Sequence, residues 1–219
     1  MAITVITGAN RGIGLELTKQ LKAKGHTVVA LVRKSSAELE ATGVEIIEGV
    51  DVTSDTYNDW LPRLEGRDIG LLINNAGLLR RTSIDDLALD DVRRQFEVNT
   101  LGPLKVTHAL LGQMNAGAKI AHITSRMGSV ADNTSGSHYG YRMSKAALNM
   151  AAKSMAVDLS SRNISVCVLH PGYVRTGMTG HTGLIDADES AAGLIARIEG
   201  LNAENSGSFW HQNGDALPW

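Results

Sequence analysis

Disulfide staples are excluded at once, because this chain has one cysteine, Cys167, set inside an apolar run. A fold without covalent cross-links and a reducing, cytoplasmic location are the expectations. An excess of charge of one sign is also missing. The 21 Lys and Arg oppose 23 Asp and Glu, a formal net charge of −2, which gives no electrostatic reason to expect nucleic acid or a membrane as partner. No apolar run approaches the roughly 20 residues of a membrane-spanning helix, and the N-terminus lacks the charged and apolar regions of a signal peptide. The seven histidines have neither helical nor finger-type ligand spacing, so no metal is expected. Repeats, low-complexity tracts and linkers are absent too. With 43% hydrophobic and 20% charged residues among 219, one sizeable domain over residues 1–219 is expected.

What is present alternates between strand and helix signals. Ile3 to Ile6 is a β-branched run, followed at once by Thr7-Gly8-Ala9-Asn10-Arg11-Gly12-Ile13-Gly14. Ile13, Leu17 and Leu21 then recur at four-residue spacing, and Gly25 is placed to end a helix. A glycine turn between a first strand and a first helix lets backbone N–H groups approach a phosphate, which points to a dinucleotide site. A mononucleotide P-loop is disfavoured, because no Gly-Lys-Ser/Thr follows. His26 to Val32 reads as the second strand and ends in Arg33-Lys34. An NAD site usually carries an acid here for the ribose 2′-hydroxyl. Cations at this place, with Arg11 in the turn, suit a 2′-phosphate, so NADP(H) is expected before NAD(H).

Val44 to Ile47 makes a third strand, with Asp51 and Val52 just beyond it. Ser54 is expected to cap a helix carrying Trp60, Leu61 and Leu64 toward the core. Ile69 to Ile73 is a continuous apolar run, the mark of a strand buried on both faces, and leads into Asn74-Asn75-Ala76-Gly77. Leu87 to Met114 reads as largely helical, with Phe96, Val98, Leu101 and Leu104 as core candidates and an irregularity expected at Gly102-Pro103. Asn99 is out of character in that region, and structural and catalytic readings compete for it. Lys119 to Thr124 is the fifth strand and ends at Ser125. A long helix is expected from His138 or Tyr139 to about Ser161, with Ala147, Met150, Met155 and Leu159 on its apolar face. Ile164 to Leu169, Ala187 to Ile198 and Ser206 to Trp210 complete the series as strand, helix and strand. The alternation implies a parallel sheet with helices on both faces.

Tyr141 and Lys145 stand at i and i+4, one turn apart on one helix face. An ammonium beside a phenol favours the phenolate, and lowering a phenol's pKa by about 3 would take roughly 4 kcal/mol. An isolated YxxxK is more often an ordinary exposed pair. Here the marked residues all fall at C-terminal strand ends or on the helix that follows, where open α/β sheets bind ligands.

TGANRGIG at residues 7–14, Asp51, NNAG at 74–77, Asn99, Ser125, Tyr141 with Lys145, and PGYVRT at 171–176 together resemble the short-chain dehydrogenase/reductase family. The stretch from Ser125 to Lys145 looks most like its C-factor and sniffer-type carbonyl reductase branch. The resemblance implies a Rossmann-type, doubly wound, seven-stranded parallel sheet and hydride transfer between NADP(H) and a carbonyl or alcohol. It places Gly8, Asn10, Arg11, Gly12, Ile13 and Gly14 along the cofactor's phosphates, Arg33 at the 2′-phosphate, and Asp51 with Val52 at the adenine. Asn75, Ala76 and Gly77 would line the middle of the cofactor, with Pro171, Gly172, Val174 and Thr176 toward the carboxamide. Ser125 would polarise the substrate carbonyl and Tyr141 would be general acid or base. Lys145 would lower the tyrosine pKa and hold the nicotinamide ribose, with Asn99 holding a water behind it. Met127, His170, Tyr173 and Met178 are pocket candidates.

Two departures stand out. Tyr141 follows Ser125 by 16 residues, longer than is usual in the family, with the excess in Asp132 to Ser137. Gly177 to Asp186 is a short connection where relatives carry a longer lid. The rival reading is a non-enzymatic NADP(H)-binding sensor or interaction scaffold. Members of the family often pair through two long helices, so the resemblance implies a homodimer or a homotetramer.

Overall fold

A computed structural model describes residues 2–219. Seven parallel strands form one sheet: β1 (Ile3–Thr7), β2 (Thr27–Leu31), β3 (Glu45–Ile47), β4 (Ile69–Asn74), β5 (Lys119–Ile123), β6 (Ser165–His170) and β7 (Ser208–His211). Their spatial order is β3-β2-β1-β4-β5-β6-β7. The order reverses direction between β1 and β4, and a doubly wound sheet opens its ligand crevice at that point.

The strands are apolar almost throughout because helices cover both sheet faces, and successive side chains feed two separate cores. Val5, Val29, Leu31, Ile120, Val166 and Val168 point to one side, where Val106, Leu110, Ala152 and Ala156 meet them. Their neighbours Ile6, Val28, Ala30, Ala121, Cys167 and Leu169 point to the other, against Leu17, Leu21, Leu194 and Ile198. The second core is covered by α1 (Gly12–Ala23), the short α2 (Ala37–Glu40) and α6 (Ala187–Glu199). The first is covered by α4 (Gly102–Leu110) and α5 (Tyr139–Asp158), with α3 (Leu89–Phe96) packed on α5. Cys167 lies in the second core, where burial pushes its thiol up to about 12 and leaves it unreactive. No helix among the described residues is long and apolar enough to cross a membrane.

Three expectations are corrected. The helix after Ser54 does not form: Ser54 bonds to Thr56 within a turn, and only a 3-10 turn, Leu61–Leu64, follows. Pro62 within it and Gly66 beyond it oppose a longer helix, yet Trp60 and Leu64 still reach the core. Between Leu87 and Met114, Phe96, Val98 and Leu104 are only half-buried and Leu101 is exposed, while Gln95, Asn99 and Thr100 face inward. Of the expected α5 face only Met150 fails, being 68% exposed; Leu159 is buried in the first core with Met155 packed against it, and Leu148, Ala152 and Ala156 complete the buried face. The expected irregularity at Gly102-Pro103 is present as a turn of π-helix, Glu97–Leu101, joining α3 to α4.

Candidate active site

The glycine turn leaves β1 and enters α1 at the reversal of the sheet order. Its tightness is set by what lies beneath it. A Cβ on Gly8 would sit 2.9 Å from the Ala76 Cα, and one on Gly14 would drive into the Gly8 carbonyl and the Asn75 amide. Gly8 also has φ +66, which only glycine adopts without strain. Thr7 Oγ1 accepts the N–H groups of Asn75 and Ala76 at 3.0 and 3.1 Å, and Asn75 Nδ2 donates to the Thr7 and Gly8 carbonyls at 3.0 Å. The ends of β1 and β4 are thereby bolted together, with the helix N-terminus behind the turn. This is a fitting cradle for a dinucleotide pyrophosphate.

Arg11 and Arg33 are exposed beside this turn. Ser36 Oγ caps α2 by accepting the Leu39 N–H and donates to the Asn10 carbonyl at 2.8 Å, which ties the Arg33–Ser36 corner to the turn. Ser35 and Ser36 were not anticipated as site residues. Two hydroxyls directly after two cations are the signal that marks them. Asp51 accepts from Thr53 N and Oγ1 at 2.9 and 2.8 Å. Burial raises its pKa, but the Thr53 bonds with Arg94 and Arg33 outweigh burial and hold the carboxyl below its ordinary value. Val52 packs on Gly102 at the start of α4.

At the other end of the crevice, Ser125 follows β5 and Tyr141 and Lys145 occupy the first turns of α5. All three are buried, at 7%, 9% and 3% exposure. The Ser125 hydroxyl is near enough to the Tyr141 phenol to favour its ionised form, and the Lys145 Nζ lies 5.8 Å from the Tyr141 ring centroid. Lys145 donates to the Ile123 carbonyl at 2.7 Å. A Cβ on Gly77 would meet both Asn99 Oδ1 and Lys145 Nζ, at 3.5 and 3.8 Å, so the end of β4, the π-turn and α5 converge on the lysine. Asn99 Oδ1 accepts the Leu78 N–H at 2.7 Å, and Nδ2 donates to the Leu78 carbonyl and Ser144 Oγ at 2.8 and 3.0 Å. Both amide protons are engaged, and the side chain splints the NNAG loop to α5.

The electrostatics differ from the simple expectation for a Tyr–Lys pair. Burial pushes Tyr141 up to about 12, against the Ser125 hydroxyl, which lowers it. Burial also pulls Lys145 down to about 7. With no carboxylate to compensate it, desolvation of the ammonium outweighs its help to a phenolate, and the cofactor-free site keeps a neutral phenol.

The segment after β6 forms the remaining wall. Val174 bridges to Ile185, Leu184 N donates to the Tyr173 carbonyl at 2.6 Å, and Arg175 pairs with Asp186 at 2.7 Å. Thr176 starts a 3-10 turn and approaches Gly12, whose Cβ would lie 3.4 Å from Thr176 Cγ2. Pro171 accepts from Ser190 Oγ at 2.7 Å, and Gly172 rests against Ile185. The expected pocket residues divide: His170 is buried and Met127 half-buried, whereas Tyr173 and Met178 are exposed.

Known proteins resemble this chain in sequence and fold. The family model described as short chain dehydrogenase matches residues 2–184. A 1-hydroxy-2-glutathionyl-2-methyl-3-butene dehydrogenase of Rhodococcus sp. (strain AD45) is 40% identical, with 100% of both chains covered. C-signal of Myxococcus xanthus is 46% identical over 69% of this chain and 93% of its own length. Among solved structures, carbonyl reductase Sniffer of D. melanogaster superposes with a TM-score of 0.92 at 30% identity, and an NADPH-bound carbonyl reductase from chicken fatty liver with 0.88 at 29%, each covering 100% of both chains. By sequence and fold alike, the chain is an oxidoreductase belonging to the short-chain dehydrogenase family.

Proposed function

We propose that this protein is an NADPH-dependent carbonyl reductase, with one domain over residues 1–219 carrying both cofactor and substrate sites. The observation that carries the reading is the convergence of Ser125, Tyr141 and Lys145, all buried, at the end of a crevice that begins in the glycine turn. Relatives named for an alcohol dehydrogenation and for carbonyl reduction with NADPH support it. When bound, the nicotinamide supplies the hydride. The Ser125 hydroxyl donates to the substrate oxygen, where negative charge develops. Tyr141, a neutral phenol at physiological pH, gives that oxygen its proton, which suits reduction better than oxidation. Lys145 holds the ribose hydroxyls and, once they hydrate its ammonium in water's place, regains the charge that burial suppresses. Asn99 keeps the NNAG loop against α5. A water behind Lys145 is left the second lone pair of Asn99 Oδ1 or its main-chain carbonyl.

Arg33, with Arg11 beside it, is placed to pair with a 2′-phosphate, so NADP(H) is preferred and NAD(H) is the weaker cofactor. Asp51 and Val52 border the adenine, and Ile13, Gly172, Val174 and Thr176 complete the enclosure. We place the protein in the cytoplasm. Met143, Met150 and Val157 form an exposed apolar stripe at seven-residue spacing on α5, and pairing of two such stripes would give a homodimer, with a homotetramer as a further step.

The test is NADPH oxidation with a panel of aldehydes, ketones and quinones. Turnover is expected with at least one class and is expected to vanish in Tyr141→Phe while NADPH still binds. Retained turnover in that variant would overturn the acid role. Tight NADPH binding with no turnover across the panel would favour the sensor or scaffold.

A further inference from the structure

The 16-residue separation between Ser125 and Tyr141 builds a cavity that the catalytic roles leave unused. It measures about 190 Å3 and is lined by Arg126, Met127, Asp132, Thr134, Ser135 and Arg142. Whole-ligand pockets measure about 300–1,000 Å3, so the recess has room for one end of a substrate rather than all of it. Its two arginines each directly follow a proposed catalytic residue. Met127 N also donates to Ser125 Oγ at 3.1 Å, so the wall of the cavity is hydrogen-bonded to the reacting hydroxyl.

The cavity carries a surplus of positive charge. Arg126 Nε donates to Asp132 Oδ2 at 2.7 Å, leaving its two Nη groups without a carboxylate. Arg142 has no acidic partner within 4.0 Å among the described residues. Its Nε donates to the Gly136 and Ser137 carbonyls at 2.9 and 3.1 Å, and Nη2 to Ser135 Oγ at 2.8 Å. Every acceptor of Arg142 is neutral. Two guanidinium groups against one carboxylate leave one positive charge uncompensated. The loop that holds them is fixed, with the Ala131 N–H on the Trp219 carbonyl at 3.1 Å and the His138 N–H on the Thr82 carbonyl at 2.7 Å. Gly136, Ser137 and His138 are held at φ 61, 49 and 52, which places Arg142 before any ligand arrives.

We propose that this cavity is a carboxylate subsite, and that the substrate is a carbonyl compound bearing a carboxylate. Arg142 and the Nη groups of Arg126 hold the carboxylate while the carbonyl lies at Ser125 and Tyr141. A monoanion neutralises the surplus, whereas a phosphate monoester dianion would overshoot it against Asp132. The planar fork of each guanidinium suits a carboxylate as well. The proposal rests on the reductase reading for the carbonyl half of the substrate only.

The test compares 4-formylbenzoate with its methyl ester, and 6-oxohexanoate with its methyl ester, in NADPH turnover and in calorimetric binding to the NADP-loaded protein. A charge-assisted contact predicts a preference for the acid of about tenfold or more in kcat/KM. Arg126→Gln and Arg142→Gln are each expected to compress that acid-to-ester ratio toward one, as is added salt. Because the ratio is taken within each variant, a loosened loop that slows both substrates leaves it unmoved. Turnover of acid and ester at equal rates by the unmodified protein overturns the subsite and leaves the reductase reading intact. Binding of the acid alone, lost in the arginine variants but without turnover, overturns the reductase reading and keeps the subsite. Equal binding without turnover overturns both.

Discussion

Replacing Lys145 with methionine should abolish activity and stabilise the protein. Burial alone pulls the lysine from its ordinary 10.5 to about 7, so the folded state sheds a proton that the unfolded chain keeps between those values. Where the unfolded state binds more protons, stability rises with pH. Lys145 therefore costs the folded protein most below about pH 7, and the cost falls away as pH climbs toward 10.5. At about 1.4 kcal/mol per pH unit the full cost is roughly 5 kcal/mol. Between pH 7.5 and 9.5 about half of it should be recovered. For a chain of this size that corresponds to roughly 5–10 °C in Tm.

Lys145→Met keeps the volume, removes the titration and gives up one hydrogen bond, to the Ile123 carbonyl. At pH 7.5 it should exceed the unmodified protein by about 3 kcal/mol, with the gap closing as pH rises. Urea unfolding of both cofactor-free proteins from pH 6 to 9.5 measures the difference, and other titrating groups cancel in the comparison. Saturating NADPH should flatten the curve of the unmodified protein, because ribose hydroxyls would restore partners to the ammonium. Parallel curves for the two proteins would refute the claim that Lys145 is a desolvated cation held in place for function.

Asn99→Ala removes three hydrogen bonds of 2.7, 2.8 and 3.0 Å and strands both main-chain groups of Leu78. It should cost about 3 kcal/mol, seen as a fall of roughly 6–12 °C in a circular dichroism melt; a shift under 2 °C would show that the splint is not needed. Arg33→Asp should raise the KM for NADPH at least tenfold more than that for NADH, and equal effects would remove the 2′-phosphate assignment. Met150→Glu, at a position 68% exposed, should move the protein toward monomer in sedimentation velocity without lowering Tm by more than about 2 °C.

Most of the fold was legible because its strands are buried on both faces. Runs such as Ile69–Ile73 and Val166–Leu169 carry no polar side chain, and a glycine turn or polar loop closes each of them. The strand order is a different matter. Nothing in the local pattern of β4 says that it lies beside β1, because that placement comes from long-range packing of Leu72 against Val5. The missing helix after Ser54 shows the opposite limit. Trp60, Leu61 and Leu64 have helical spacing, but a 3-10 turn ending in an extended chain buries Trp60 and Leu64 equally well once Pro62 makes the longer helix costly.

The site was legible as a set of positions and not as a set of charges. Type and spacing locate Ser125, Tyr141 and Lys145, but only their burial reveals a neutral phenol beside a weakened ammonium. The helical stretch from Leu89 to Leu110 was read partly inside out for the same reason. Gln95, Asn99 and Thr100 face inward because each serves a main-chain group: Gln95 accepts the Arg80 N–H, Asn99 brackets Leu78, and Thr100 donates to the Ser144 carbonyl. Polar residues thus occupy the face that a hydrophobic pattern assigns to the core. The displaced apolar residues, Leu101 on the π-turn and Met143, Met150 and Val157 on α5, are left on the outside. A helix of this kind depends on its inner hydrogen bonds being made, and its outer apolar face is the surface on which we propose that a partner packs. The polar inner face therefore argues for a positioned site, and the apolar outer face argues for a second copy of the chain.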